Sequence, residues 1–399
     1  MRNRYLDLLR AAAIVRVVLY HASGWAWLTI AFPAMALMFA LGGSLMAASI
    51  DKYGVRAIGR RMRRLLPPLW TIAAVFVPAM VITGLAVDWR MAFWVLPLYD
   101  PPANGWGALA LSIIWYLRDY LWFVLVSPLA LPLFRRFPVP TLLAPLAVLA
   151  VVEIWVPAPP LVAHVALFLG CWLLGFAHHD GLLRRMKRPL LISLAAVLGA
   201  LGATWFLTHP GPRGYDLNDI LLGDGLWSAG AVLIVLGFAP AATAWIDRQA
   251  RVSAAITLLN RRALTVYLWH QPAVVAVAFV MAALGATGDG WLAVQLAVVA
   301  GLVALAVAAF GWVEDVAALR RPVPGLARLR LVLRPALDRL PAAANRLAGS
   351  RPAEHPVGVR PAGRLSAAVA ARVPRARLPQ RRPSRLADAD VAAVGAQVQ

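Results

Sequence analysis

Long apolar runs separated by short polar breaks set the pattern of this chain. Runs of about 20 residues, the length a helix needs to cross a bilayer, fall at 11–30, 33–50, 67–87, 109–134, 139–156, 160–178, 189–207, 220–240, 263–284 and 291–313. The pattern predicts an all-α polytopic membrane protein of about ten transmembrane helices. The breaks test that count. With the N-terminus inside, where Arg2 and Arg4 stand, the even-numbered connections hold Lys52, Arg56, Arg60, Arg61, Arg63 and Arg64, then Arg135 and Arg136, then Arg184, Arg185, Lys187 and Arg188, then Arg248, Arg251, Arg261 and Arg262. The odd-numbered connections hold only Arg90 and Arg213, a ratio of sixteen to two. Basic residues stay on the cytoplasmic side, so both termini are predicted to be cytoplasmic. One span more or fewer would scramble the asymmetry.

Composition supports that picture. The 399 residues are 61% hydrophobic and 14% charged, with 16 Trp and a mean hydropathy of +0.71. That is more apolar surface than a soluble fold of this size can hide. The formal charge of +21 invites a nucleic-acid reading, but 16 of the 39 Lys and Arg lie after residue 319 among only four acidic residues. The rest cluster in loops, without the aromatic and basic interleaving of a nucleic-acid platform. Residues 1–318 are therefore predicted to form the transmembrane domain, and 319–399 a basic, Arg/Pro/Ala-rich disordered cytoplasmic tail. Such a tail can lie on anionic lipid at about 1 kcal/mol per cation, or serve no specific role. The single cysteine, Cys171, permits no intramolecular disulfide and reads as packing. Arg16 and His21 interrupt the first run, which lacks a signal-peptidase pattern and is predicted to be a retained span. Segments 88–108 and 208–219 could border an outer acceptor site or simply connect spans.

Arg10 and His21 are eleven residues apart, three turns of helix, and so share a face about 16 Å apart along the axis. Asp7 lies on the same stripe. Ionisable groups within a bilayer are costly and are usually kept for function. His21 can act as general base toward a hydroxyl or carry an acyl group itself; the alternative is an interhelical hydrogen bond made for packing. Arg16 faces elsewhere and needs a partner. Residues 59–70, GRRMRRLLPPLW, place Arg61, Arg63 and Arg64 ahead of Pro67 and Pro68, which are expected to open the third span. Guanidinium groups bind phosphate in bidentate fashion, although any cytoplasmic loop is expected to be basic.

Further candidates for a polar cavity are Trp115, Arg118 and Asp119 in IIWYLRDYLWF, and Tyr267 and His270 in LTVYLWHQPAV. Arg118 and Asp119 diverge by 100° around a helix and are expected to reach partners on other helices. His270 and His21 could share a chamber, or each could bond a neighbouring helix. His178, His179 and Asp180 do not share a helix face, so no metal site is predicted. No phosphate-binding glycine loop or nucleotide fingerprint is present, which disfavours ATP-driven transport.

RYLDLLRAAAIVRVVLYHA resembles the opening of the membrane acyltransferase-3 family, in which an arginine, ten residues and a histidine mark the first span. MALMFALGGSLMAASID is similar to the family's second span, with Gly43 at the glycine position. GRRMRRLLPPLW resembles its Arg-x-Arg loop, with Arg61 and Arg63 aligned and Arg64 adjacent. WYLRDYL and YLWHQP resemble later landmarks, although Asp119 stands one position nearer the tryptophan than the usual glutamate. The resemblance implies O-acylation across the membrane, from cytoplasmic acyl-CoA (typically acetyl-CoA) to a hydroxyl of an extracytoplasmic glycan, lipid-linked sugar or secondary metabolite. It implies that His21 and Arg10 are essential and that the basic loop binds the donor. Acyl-CoA would then be a co-substrate, with no tightly bound cofactor, and the cell (plasma) membrane the location. The competing class is a secondary transporter or flippase for a lipid-linked sugar or small polar metabolite, for which paired helix-breaking segments would be expected.

Overall fold

The computed structural model describes residues 4–320 except 157–158, 241–242 and 287. The tail expected from residue 319 onward lies, from residue 321, outside the described residues. Among these residues sixteen α-helices follow one another: α1 (Arg4–Ser23), α2 (Trp27–Ala31), α3 (Ala34–Tyr53), α4 (Arg56–Ile82), α5 (Gly105–Ala110), α6 (Trp115–Arg136), α7 (Pro138–Ile154), α8 (Pro160–His179), α9 (Leu182–Arg185), α10 (Arg188–Thr208), α11 (Leu221–Gly237), α12 (Ala244–Arg248), α13 (Ala250–Arg261), α14 (Ala263–Ala283), α15 (Leu292–Phe310) and α16 (Trp312–Ala317). Among the described residues the only β pairing is an isolated bridge between Gly211 and Gly214.

Among the described residues, seven stretches are helical, long and apolar enough to cross a membrane: Trp27–Tyr53, Arg56–Ile82, Ser112–Arg136, Leu161–His179, Arg188–Thr208, Ala263–Ala283 and Leu292–Phe310. Helices also occupy the other three expected positions, but α7 and α11 are shorter, 17 residues each, and α1 carries several charges. Burial separates inner from outer helices. Within the protein, 72% of the most apolar window of α8 is buried, against 17% for α15. Helix α8 is thus a central post and α15 a lipid-facing wall. Backbone contact makes the post tight: a Cβ on Gly43 of α3 would lie 2.1 Å from the Trp172 carbonyl oxygen, and one on Gly175 of α8 would lie 2.1 Å from that of Ala40. Small residues that let helices touch are the usual glue of membrane bundles, where no water drives association.

Three boundaries depart from the hydropathy pattern. The first helix ends at Ser23 rather than near residue 30, because Gly24 takes a φ of +69° and its N–H caps the Tyr20 carbonyl at 2.8 Å. The short α2 then turns back beside it. Pro67 and Pro68 lie inside α4 instead of opening it, so Arg61, Arg63 and Arg64 belong to a helix, not a loop. Neither proline has an N–H, which leaves the Arg63 and Arg64 carbonyls without their usual helical donors. Finally, the polar connection after α11 is itself largely helical, as α12 and α13.

Candidate active site

Helix α1 packs against α3, α13 and α14. Its last turn brings His21 beside His270 of α14, with ring centroids 5.2 Å apart. His270 is fully buried, and its Nδ1 lies 2.5 Å from the Tyr267 carbonyl oxygen. A carbonyl only accepts, so Nδ1 carries the proton and Nε2 presents a lone pair. That Nε2 is buried with no hydrogen-bond partner. His270 is seven residues into α14, about 10 Å along a helix of about 31 Å. The imidazole pair therefore sits roughly a third of the way along this apolar helix. The two histidines are thus neighbours, as one of the two expectations had it, and no hydrogen bond joins them.

Rings lead away from the pair toward the arginines of α4. Tyr267 is 5.7 Å from His270 between centroids, Tyr116 is 4.9 Å from Tyr267, and Tyr120 is 5.8 Å from Tyr116. Arg61 Nη1 donates weakly to the Tyr120 hydroxyl at 3.5 Å. Arg10 lies within electrostatic reach of Tyr120, Tyr116, Arg61 and Asp7. Tyr116 and Tyr120, four residues apart on α6, form the middle of this row. The sequence reading passed over both, although their i,i+4 spacing places them on one helix face. Asp7 pairs with Arg4 at 3.8 Å, and its backbone oxygen accepts from Asn260 Nδ2 at 2.7 Å.

Arg4, Arg90, Arg118, Arg135, Arg213, Arg261, Arg262 and Arg320 each meet a carboxylate. Among the described residues, Arg10, Arg61, Arg63 and Arg64 form no ion pair, which they share with arginines such as Arg136 and Arg184, but Arg64 has Arg61, Arg63 and Arg320 as charged neighbours. Like charges gathered without counter-charge form a strong site for a polyanion. Arg63 and Arg64 are exposed, whereas Arg61 and Arg10 are half-buried, so the positive field runs inward from the surface.

The remaining candidates have structural partners. Arg118 and Asp119 pair with each other, Nε to Oδ1 at 2.8 Å, and Arg118 Nη1 reaches Asp100 Oδ2 at 2.5 Å. This corrects the expectation that they point to separate helices: the long arginine side chain curls back across the 100° between them. Trp115 stacks on Phe168 at 5.3 Å within an aromatic core that includes Phe39. Arg16 finds its partners in the Leu28 carbonyl, 3.0 Å from Nε, and the face of Tyr20. His178 bonds Ser44 and His179 bonds Asp51. Asp51, His179 and Asp180 have ligand-type atoms within 4.8 Å of one another, but the Arg135 guanidinium already bridges the two carboxylates.

At the same C-terminal end of α1, beside His21, the segment after α10 folds over the bundle. Tyr20 Oη donates to Asp216 Oδ2 at 2.5 Å and accepts from Arg213 at 2.8 Å, while Leu217 N–H donates to Thr29 Oγ1. Arg213 also grips Asp219 through two nitrogens, at 2.9 and 2.7 Å, which holds that carboxyl below its ordinary range. Tyr20 is the immediate neighbour of His21, with rings 5.1 Å apart. This cap was not legible from sequence, where 208–219 carried only turn-forming residues.

Apolar helices that can cross a bilayer make this a multi-pass membrane protein, and within it a half-buried His21 lies against a buried His270. The acyltransferase-3 family, described as an acyltransferase domain, matches residues 3–313, and the chain belongs to it. It is therefore a membrane acyltransferase. No curated protein and no solved structure matches the chain.

Proposed function

We propose that this protein is an O-acyltransferase of the plasma membrane, with ten spans and both termini cytoplasmic. It takes an acyl group, acetyl in the first instance, from cytoplasmic acyl-CoA. The acceptor is a hydroxyl of an extracytoplasmic glycan, lipid-linked sugar or similar molecule. The observation that carries this reading is the continuous series from Arg63, Arg64 and Arg61 through Tyr120, Tyr116 and Tyr267 to His270 and His21. A CoA thioester has the matching polarity: phosphates at one end, then a long flexible arm, then a reactive carbonyl.

Arg61, Arg63 and Arg64 would hold the phosphates. His21 takes the proton of the acceptor hydroxyl as its oxygen attacks the thioester carbonyl. The new bond is C–O; the C–S bond breaks, and the proton passes from His21 to the departing thiolate. Arg10, near the same row but about 16 Å from His21 along α1, holds the donor rather than the reacting carbonyl. Acylation of His21 itself would divide the transfer into two steps and would appear as labelled histidine after brief exposure to labelled donor.

The test uses membranes supplied with acetyl-CoA labelled in the acyl group. Label should enter an ester in the glycan or lipid fraction with the native protein, and not with correctly inserted His21→Ala or Arg10→Ala. Full transfer by His21→Ala would remove the catalytic role.

A further inference from the structure

His270 has a free, buried lone pair facing no partner, at the one place where a second imidazole stands beside the base. Burial of an unsatisfied acceptor is costly, about 1–3 kcal/mol by ordinary reckoning, so a group kept this way is poised to receive a donor. Its tautomer is fixed by the Tyr267 carbonyl, which occupies Nδ1–H. Two imidazoles joined edge to edge by an N–H···N bond of about 2.9 Å have centroids about 5 Å apart. The 5.2 Å separation of His21 and His270 already matches. A half-turn of His21 about Cβ–Cγ exchanges ring nitrogens and carbons while leaving its centroid nearly in place.

We propose that His270 is the positioning residue of His21: its Nε2 accepts an N–H from His21, fixing which nitrogen of His21 faces the acceptor hydroxyl. The inference rests on His21 acting as base in the reading above. As His21 takes the hydroxyl proton, the positive charge is shared across the N–H···N bond to His270, and it leaves when the proton moves on to the thiolate. His270 touches neither substrate, and no bond of His270 is made or broken beyond that hydrogen bond. The Tyr267 carbonyl is the backstop that keeps Nδ1 protonated. The arrangement is a base oriented by a second group that is in turn oriented by the backbone, built from two histidines and no carboxylate.

Three variants and one spectrum test it. His270→Phe keeps ring volume and removes the acceptor; kcat should fall about 10- to 100-fold, the usual cost of losing an orienting partner, with KM for acyl-CoA unchanged. His270→Gln returns a carbonyl acceptor at similar reach and should recover part of kcat. Full kcat in His270→Phe, or equal loss in His270→Phe and His270→Gln, overturns the proposal. Loss of activity in His21→Ala alongside normal His270→Phe overturns the positioning role alone; activity in His21→Ala overturns the base role first. Should His270→Phe fail to fold, ring-15N-histidine spectra of the native protein in bilayers decide. A His270 Nε2 without a proton, coupled through a hydrogen bond to His21, is expected, and a protonated Nε2 overturns the proposal.

Discussion

Adding one methyl group at Gly43 should damage the bundle far more than its size suggests. The new Cβ would lie 2.1 Å from the Trp172 carbonyl oxygen and 2.9 Å from the carbonyl carbon. Both are backbone atoms of α8, so no rotamer change relieves the contact. Restoring ordinary separation requires α3 and α8 to part by about 1 Å, with Phe39, Leu41, Trp172 and Phe176, all fully buried, losing contacts on both sides. The Ser44–His178 hydrogen bond at 2.9 Å spans the same seam. Overpacking costs about 1–3 kcal/mol, and a backbone clash places Gly43→Ala near the top of that range, about 3 kcal/mol. Gly301→Ala on α15 is the control: a Cβ there meets nothing within 4 Å, and alanine is favoured over glycine in a helix interior by about 1 kcal/mol. Thermal unfolding of the detergent-purified proteins, followed by loss of the monodisperse chromatographic peak, reads both. Gly43→Ala should unfold several degrees lower and Gly301→Ala at or above the native temperature. Equal midpoints for the two variants would refute the reasoning from backbone contact.

Two further outcomes follow from the charge pairs. Arg118→Ala strands Asp119, which is 0% exposed, and should cost about 3–5 kcal/mol; Arg135→Ala, from a bridge whose arginine is 41% exposed, should cost about 1 kcal/mol or less. The same unfolding assay checks them, and equal costs would show that the Arg118–Asp119 pair is not buried as described. Burial alone would raise the Asp315 carboxyl, but hydrogen bonds from Arg261 and Arg262 outweigh it and hold it at about 2. Because the folded value lies below the unfolded one of about 4, this stabilisation is complete above pH 4 and disappears as pH falls from about 4 to about 2. Stability of Asp315→Asn should therefore lose less across that window than the native protein, and parallel curves would count against the assignment.

Helix positions were largely legible because an apolar run about 20 residues long has few other homes: α8, α10 and α14 fall within a few residues of the hydropathy runs. Boundaries failed where local chemistry overruled hydropathy. Gly24 ends α1 inside an apolar stretch that continues through Trp25 to Phe32, and the Pro67–Pro68 pair is carried within α4 rather than at its start. The stripe of Asp7, Arg10 and His21 was visible because it depends on one helix alone. What those residues meet depends on how helices pack, and no local pattern encodes that. Tyr116, Tyr120 and Tyr267 join Arg61 to His270 only once α4, α6 and α14 come together. Arg118 shows the limit from the other side: its flexible side chain reaches Asp119 despite the angle between them, so helix-wheel divergence did not decide pairing.

The central claim is that one phosphorylated thioester spans from the arginines of α4 to the imidazole of His21. A structure of the protein in lipid nanodiscs with a non-hydrolysable thioether analogue of acetyl-CoA tests it most directly. The account predicts phosphates on Arg61, Arg63 and Arg64, and the acetyl carbonyl beside His21. An analogue bound elsewhere, or one whose acetyl end stops short with His21 sealed against lipid, would contradict it.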